Sequence, residues 1–194
     1  MPATLSCWGV ASPIQSSGLN PYNIRMKCDR DGEDGPLCYK QMEWIEVYMN
    51  DPEVKKALGV SKEREFQSCN MAVNQAFSFQ GDVAHDSPSL LVPLLEKSDV
   101  RVLIYAGDLD FLCNYLGNQR WVEALEWSGK ADYNKAKFHN MTDGNGSTVK
   151  SSDSEGAGKL TYLRVRDAGH MVPYDQPEVA LTMIQKWVND ERLW

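Results

Sequence analysis

Two short apolar runs, Val100–Ala106 (VRVLIYA) and Leu160–Arg166 (LTYLRVR), constrain this chain more than any other feature. Both are rich in β-branched and large apolar residues, the pattern of strands buried on both faces in a parallel sheet. The segment Asn118–Trp127 between them has helical character, and Pro177 opens a last helix with Val179, Leu181, Met183, Ile184 and Trp187 as its apolar positions. Strand, loop, helix, strand, loop, helix is the closing stretch of an α/β architecture. Two parallel strands do not make a stable sheet, because their edges and faces need cover. The sequence therefore predicts an incomplete sheet that requires further strands.

The two loops that follow these runs hold the chemistry. Gly107-Asp108-Leu109-Asp110-Phe111-Leu112-Cys113-Asn114 follows the first, and Asp167-Ala168-Gly169-His170-Met171-Val172-Pro173 follows the second. Parallel strands send both loops to the same carboxyl edge, where open α/β sheets place their ligands. An acid after one strand and a histidine after a later one is the second part of the order Ser, Asp, His of α/β-hydrolases. The histidine takes the nucleophile's proton and returns it to the leaving group, while the carboxylate fixes its tautomer. Gly169 allows a tight turn beside the ring.

Upstream, residues 1–39 read as loop, with Gly, Pro, Asn and Ser recurring without a period. Met42, Ile45 and Met49, then Val54, Ala57 and Leu58, recur at helical spacing. Asn50-Asp51-Pro52 divides them into two helices, with Asp51 as N-cap, Pro52 at the first helical position and Gly59 as the stop. Residues 68–84 read as irregular. Ser87-Pro88 is expected to open a helix through Leu90, Leu91, Leu94 and Leu95, with Pro93 in its first turn. The polar, Gly- and Ser-rich stretch 128–158 is expected to be an excursion with a short edge strand.

Composition narrows the classes. A net charge of −7 with interspersed signs argues against a nucleic-acid surface. No apolar run approaches the roughly 20 residues of a membrane span, and the first residues lack the pattern of a signal peptide. The five cysteines, Cys7, Cys28, Cys38, Cys69 and Cys113, contain no C-x-x-C, and the three histidines are dispersed, so no metal site is expected. No glycine-rich phosphate loop is present, so no cofactor is expected either. Cys28 and Cys38 bracket the turn-rich DRDGEDGPL, and a bridge there would contribute about 2–3 kcal/mol. The sequons at Asn140 and Asn145 share one polar segment, which with a disulfide points to an oxidising, glycosylating route.

Three stretches are specific together. GLNPYNIRMKC (Gly18–Cys28), YAGDLDFLCNYLGNQRW (Tyr105–Trp121) and GHMVPYDQPEVAL (Gly169–Leu181) resemble the serine carboxypeptidases of the carboxypeptidase Y type, along a match from about Gly18 to Trp187. The resemblance implies an α/β-hydrolase fold, with 1–39 the end of a loop-rich insert and 40–194 the sheet-and-helix part of its C-terminal portion. It implies Asp110 as the triad acid and His170 as the base. It also implies Cys113 and Met171 as substrate-pocket residues, a Cys28–Cys38 disulfide, and for Cys69 a partner near the family's N-terminus. Asp108 reads as structural, holding the loop through backbone amides; His85 and His139 read as structural or exposed.

The family's nucleophile lies in G-E-S-Y-A-G, and no G-x-S-x-G occurs in these 194 residues. The expected activity is thus release of C-terminal residues from peptides, with the serine half supplied by the same precursor or in trans, in a vacuolar or lysosome-like lumen or after secretion. The isolated chain is expected to be inactive. The alternative is a non-catalytic fragment, or the small chain of a two-chain enzyme acting as a structural partner. An esterase of the same fold is disfavoured by GDLDFLCN and GHMVP.

Overall fold

The computed structural model describes residues 13–14, 16–35, 37–142, 144–152 and 158–194. Cys7 and the first part of the expected 1–39 loop lie outside the described residues. The described chain forms two compact units, 27–85 and 13–26 with 86–194.

In the first unit, Cys28 and Cys38 form the expected disulfide. Helices α1 (Gln41–Asn50) and α2 (Pro52–Ala57) follow. The Asp51 carboxylate accepts from the backbone amides of Glu53 and Val54, which would otherwise lack partners at the start of α2. Residues 68–84 are not irregular, as periodicity suggests. Helix α3 (Met71–Gln80) runs through them, with the Asn70 side chain accepting from Val73 N and Gly81 closing the helix at φ 79°. The helix buries no residue, so there was no apolar stripe to read; its two caps were the legible signal.

The second unit begins with a hairpin, β1 (Leu19–Asn20) and β2 (Asn23–Lys27), where the sequence reads as loop. Ser87–Leu91 forms a 3-10 turn that leads into helix α4 (Val92–Lys97), with Pro93 in its first turn as expected. Strand β3 (Val102–Gly107) precedes α5 (Tyr115–Ala124), three residues earlier than the expected helix because Asn114 caps it by accepting from Gly117 N. The stretch 128–158 holds more order than an excursion: helix α6 (Lys130–Lys135) and strands β4 (His139–Asn140) and β5 (Thr148–Ser151). Strand β6 (Leu160–Val165), the short helix α7 (Val172–Asp175) and α8 (Pro177–Val188) complete the unit.

Among the described residues the sheet order is β3-β6-β5-β4. β3 and β6 are parallel, pairing Val102 with Leu160 through Gly107 with Val165. β5 and β4 add antiparallel neighbours on the other side. β6 is buried on both faces as expected: Leu160 and Tyr162 pack with Val122, Leu125 and Tyr133, and Leu163 and Val165 pack with Val179, Ala180 and Met183. β3 is not. It is an edge strand, and Tyr105 remains 43% exposed. Beside it Leu103, Tyr105, Pro177, Leu181, Ile184 and Trp187 line an open apolar groove of about 540 Å³.

Candidate active site

The parallel register of β3 and β6 ends both strands at one edge of the sheet. Backbone bonds then join the two following loops. Asp108 N donates to Val165 O at 3.0 Å, and Leu109 N donates to Ala168 O at 2.9 Å. Gly107 makes this approach possible: a Cβ there would run into the Ala168 and Gly169 carbonyl oxygens.

At this edge His170 Nδ1 lies 2.8 Å from Asp110 Oδ2. The carboxylate only accepts, so Nδ1 is the donor and the neutral ring carries its lone pair on Nε2. The Asp110 side chain is 4% exposed and the His170 side chain 42%. A shielded carboxylate behind an accessible imidazole is what a general base needs. Asp110 Oδ1 also accepts from Cys113 N at 3.1 Å, which fixes the carboxylate plane.

Asp108 has a different task. Its Oδ1 accepts from Asp167 N and its Oδ2 from the Arg164 guanidinium, both at 2.9 Å. It ties the first loop to the second and faces no imidazole. Cys113 is a free thiol whose Sγ joins Asp110 and His170 in a group of donor atoms all within 4.8 Å of one another. Partial burial, and then the charge of Asp110, pushes its pKa up, so it rests as a neutral thiol. A metal held by this group through Nδ1 would have to displace the Asp110–His170 hydrogen bond. Met171 is half-buried directly after His170 and precedes α7. Asn140 and Asn145 lie on β4 and in the turn after it, outside this edge.

The residues that sequence reasoning missed brace this site. The hairpin tip presents two carbonyls to the two loops: Pro21 O accepts from Phe111 N at 3.1 Å, and Tyr22 O accepts from His170 N at 2.7 Å. Ile24 N donates to Leu109 O, and the Tyr22 ring lies 5.3 Å from the imidazole. Asp175 Oδ2 accepts from Gly169 N at 2.6 Å and from Asn23 Nδ2 at 3.2 Å. The Arg25 guanidinium holds both Oδ1 and the carbonyl of Asp167. The legible trace of this brace was the turn-forming NPYN between two short runs, masked by the polar composition around it.

Comparison with known proteins shows what the chain is similar to. The family model for serine carboxypeptidases matches residues 3–190. Carboxypeptidase Y of Candida albicans is 45% identical over 192 residues, covering 98% of this chain and 34% of the relative. Carboxypeptidase Y homolog A of Leptosphaeria maculans is 42% identical, over 97% of this chain and 33% of the relative. The crystal structure of Kex1(delta)p, a prohormone-processing carboxypeptidase from Saccharomyces cerevisiae, is similar at a TM-score of 0.66 and 24% identity. It covers 89% of this chain and 36% of that one, a likeness of fold. The chain spans about a third of the length of the relatives it matches.

Proposed function

The chain belongs to the serine carboxypeptidase family, and from that premise we propose that it supplies the acid and base of a serine carboxypeptidase whose nucleophile lies in polypeptide beyond these 194 residues. The observation that carries this reading is the 2.8 Å bond between a buried Asp110 and an accessible His170, at the carboxyl edge of two parallel strands. In the assembled enzyme His170 accepts the serine proton as the hydroxyl attacks the scissile carbonyl. It then hands that proton to the departing amino acid, and repeats the exchange with water to release the acyl group. Asp110 holds the tautomer and stabilises the imidazolium. Cys113 and Met171, flanking the pair, contact the substrate side chain.

On the same reading the chain is the C-terminal portion of one α/β-hydrolase domain, 1–39 ending a loop-rich insert. Its substrates are peptides, and its compartment is a vacuolar lumen or the secreted space. The Cys28–Cys38 bridge fits such an oxidising compartment. The chain by itself is inactive, since it lacks a G-x-S-x-G nucleophile segment.

A chimera tests this. With this chain replacing the matching third of the Candida albicans carboxypeptidase Y, a blocked dipeptide should be hydrolysed, and His170→Ala should abolish turnover. The unsupplemented chain should show none. A folded, monomeric chimera without activity, or turnover by the chain alone that survives His170→Ala, would overturn the proposal.

A further inference from the structure

The two sequons, five positions apart in sequence, are used very differently by the fold. Asn140 lies on the edge strand β4, exposed, and among the described residues no hydrogen bond engages its side chain; Thr142 is exposed as well. Asn145 is exposed too, but its side chain is fully engaged. Its Nδ2 donates to Arg166 O and to Gln176 Oε1, each at 3.1 Å, which uses both amide hydrogens. Its Oδ1 accepts from Ser147 Oγ at 2.9 Å. Ser147, the hydroxyl residue of that sequon, is 0% exposed, and its Oγ accepts from Arg166 N at 3.0 Å. Gln176 Nε2 in turn donates to Asp167 O at 3.1 Å.

These bonds converge on Arg166 and Asp167, where the chain leaves β6. Asp167 stands at φ 59°, a left-handed conformation that an L residue adopts at a cost and keeps only where its surroundings impose it. Three residues later the chain reaches His170.

We propose that only Asn140 carries an N-linked glycan, and that the Asn145 sequon stays bare and serves as a brace of the turn between β6 and the His170 loop. Glycosylation forms a bond from Nδ2 to C1 of the donor sugar. It breaks that carbon's bond to the pyrophosphate of a lipid-linked oligosaccharide, and the amide gives up one proton. At Asn140 this removes no hydrogen bond, and a glycan there covers an exposed sheet edge, where unpaired backbone invites association. At Asn145 it removes one of two engaged hydrogens and leaves Arg166 O or Gln176 Oε1 without its donor. With an acceptor 3.1 Å along each N–H direction, a sugar on Nδ2 would force the Asn145 side chain out of this position, so a chain glycosylated there gives up the brace.

The chimera with Candida albicans carboxypeptidase Y, produced behind a secretion leader in a glycosylating eukaryotic host, tests the proposal through its soluble fraction. Enzymatic deglycosylation in heavy-oxygen water followed by peptide mapping should label Asn140 and leave Asn145 unlabelled. In the Asn140→Gln chimera the peptides of this chain should carry no label. The second arm uses the same chimera. Asn145→Asp keeps the shape but removes both donors, and should speed hydrogen exchange of the Arg166 and Asp167 amides by about tenfold. Asn140→Asp should leave those rates unchanged. Label at Asn145 in the soluble fraction, an empty Asn140, or unaltered exchange in Asn145→Asp would each overturn it.

Discussion

A carboxylate that is 4% exposed and a second one that is 11% exposed sit two positions apart in the same loop, and only their partners distinguish them. Asp110 faces the imidazole, so Asp110→Asn presents an amide that favours the wrong ring tautomer. In the chimera it should lower turnover by on the order of 10⁴, as in the serine-protease case, with little change in melting temperature. Asp108 faces Arg164 and the Asp167 amide, so Asp108→Asn should cost about 1–2 kcal/mol of stability and far less turnover. Equal losses of turnover would move the acid to Asp108. Cys113 supplies a pH test. Its pKa is raised by burial and by Asp110, so little thiolate exists at neutral pH. Alkylation should be slow at pH 7 and keep rising above the ordinary thiol value of about 8.5. Asp110→Asn removes the charge and should speed the reaction at pH 8. A rate that levels off below the ordinary value would contradict this environment. That an acid and a histidine share this edge was legible from residue type and loop position, while the choice of Asp110 over Asp108 came from the family resemblance. The brace by Asn23, Arg25 and Asp175 was not, because those side chains meet the loops across more than 140 positions of sequence in two of the three cases.

Elements carry the next layer. The caps of α2 and α3 are local, readable from Asp51-Pro52 and from Asn70 with Gly81, and the same local rules place α5 at Asn114. The junction of hairpin and His loop is not local. A Cβ at Gly169 would meet the Tyr22 carbonyl oxygen and lie 2.8 Å from Asn23 Cβ, so Gly169→Ala must push the hairpin away. We expect it to cost at least about 1–3 kcal/mol, read as a lowered denaturation midpoint, and to reduce turnover of the chimera by freeing the His170 backbone from Tyr22 O. A variant with unchanged midpoint and rate would show that the hairpin does not seat the loop. Helix α3 escaped periodicity because Phe77 and Phe79, two positions apart, lie on different sides of the helix, and both are exposed, at 54% and 89%.

At the scale of the molecule, the sheet of the described residues stops at β3. One edge of a parallel strand is open, and Tyr105, Leu181, Ile184 and Val188 are exposed at 43%, 56%, 47% and 66%. Each large apolar side chain left in water forfeits roughly 1.5–3 kcal/mol, against a net stability of about 5–15 kcal/mol for an ordinary domain. The chain alone should therefore be marginally stable, aggregate at micromolar concentration and bind a dye for exposed apolar surface, and the chimera should not. A monomeric chain with a sharp cooperative melt would refute this dependence. The sequence by itself determined the strand pair, the carboxyl-edge loops, the Asp51-Pro52 helix start and the presence of an acid and a histidine at that edge. These rest on composition, period and spacing, which act over a few residues. Tertiary structure decided that Asp110, the aspartate the resemblance implies, lies against His170 while Asp108 does not, that a hairpin read as loop seats both loops, and that the Asn145 side chain is held by hydrogen bonds while among the described residues that of Asn140 is not. Those outcomes depend on backbone carbonyls and amides brought together across the chain, and hydrogen-bond partners of that kind leave no periodic trace in the residues that provide them.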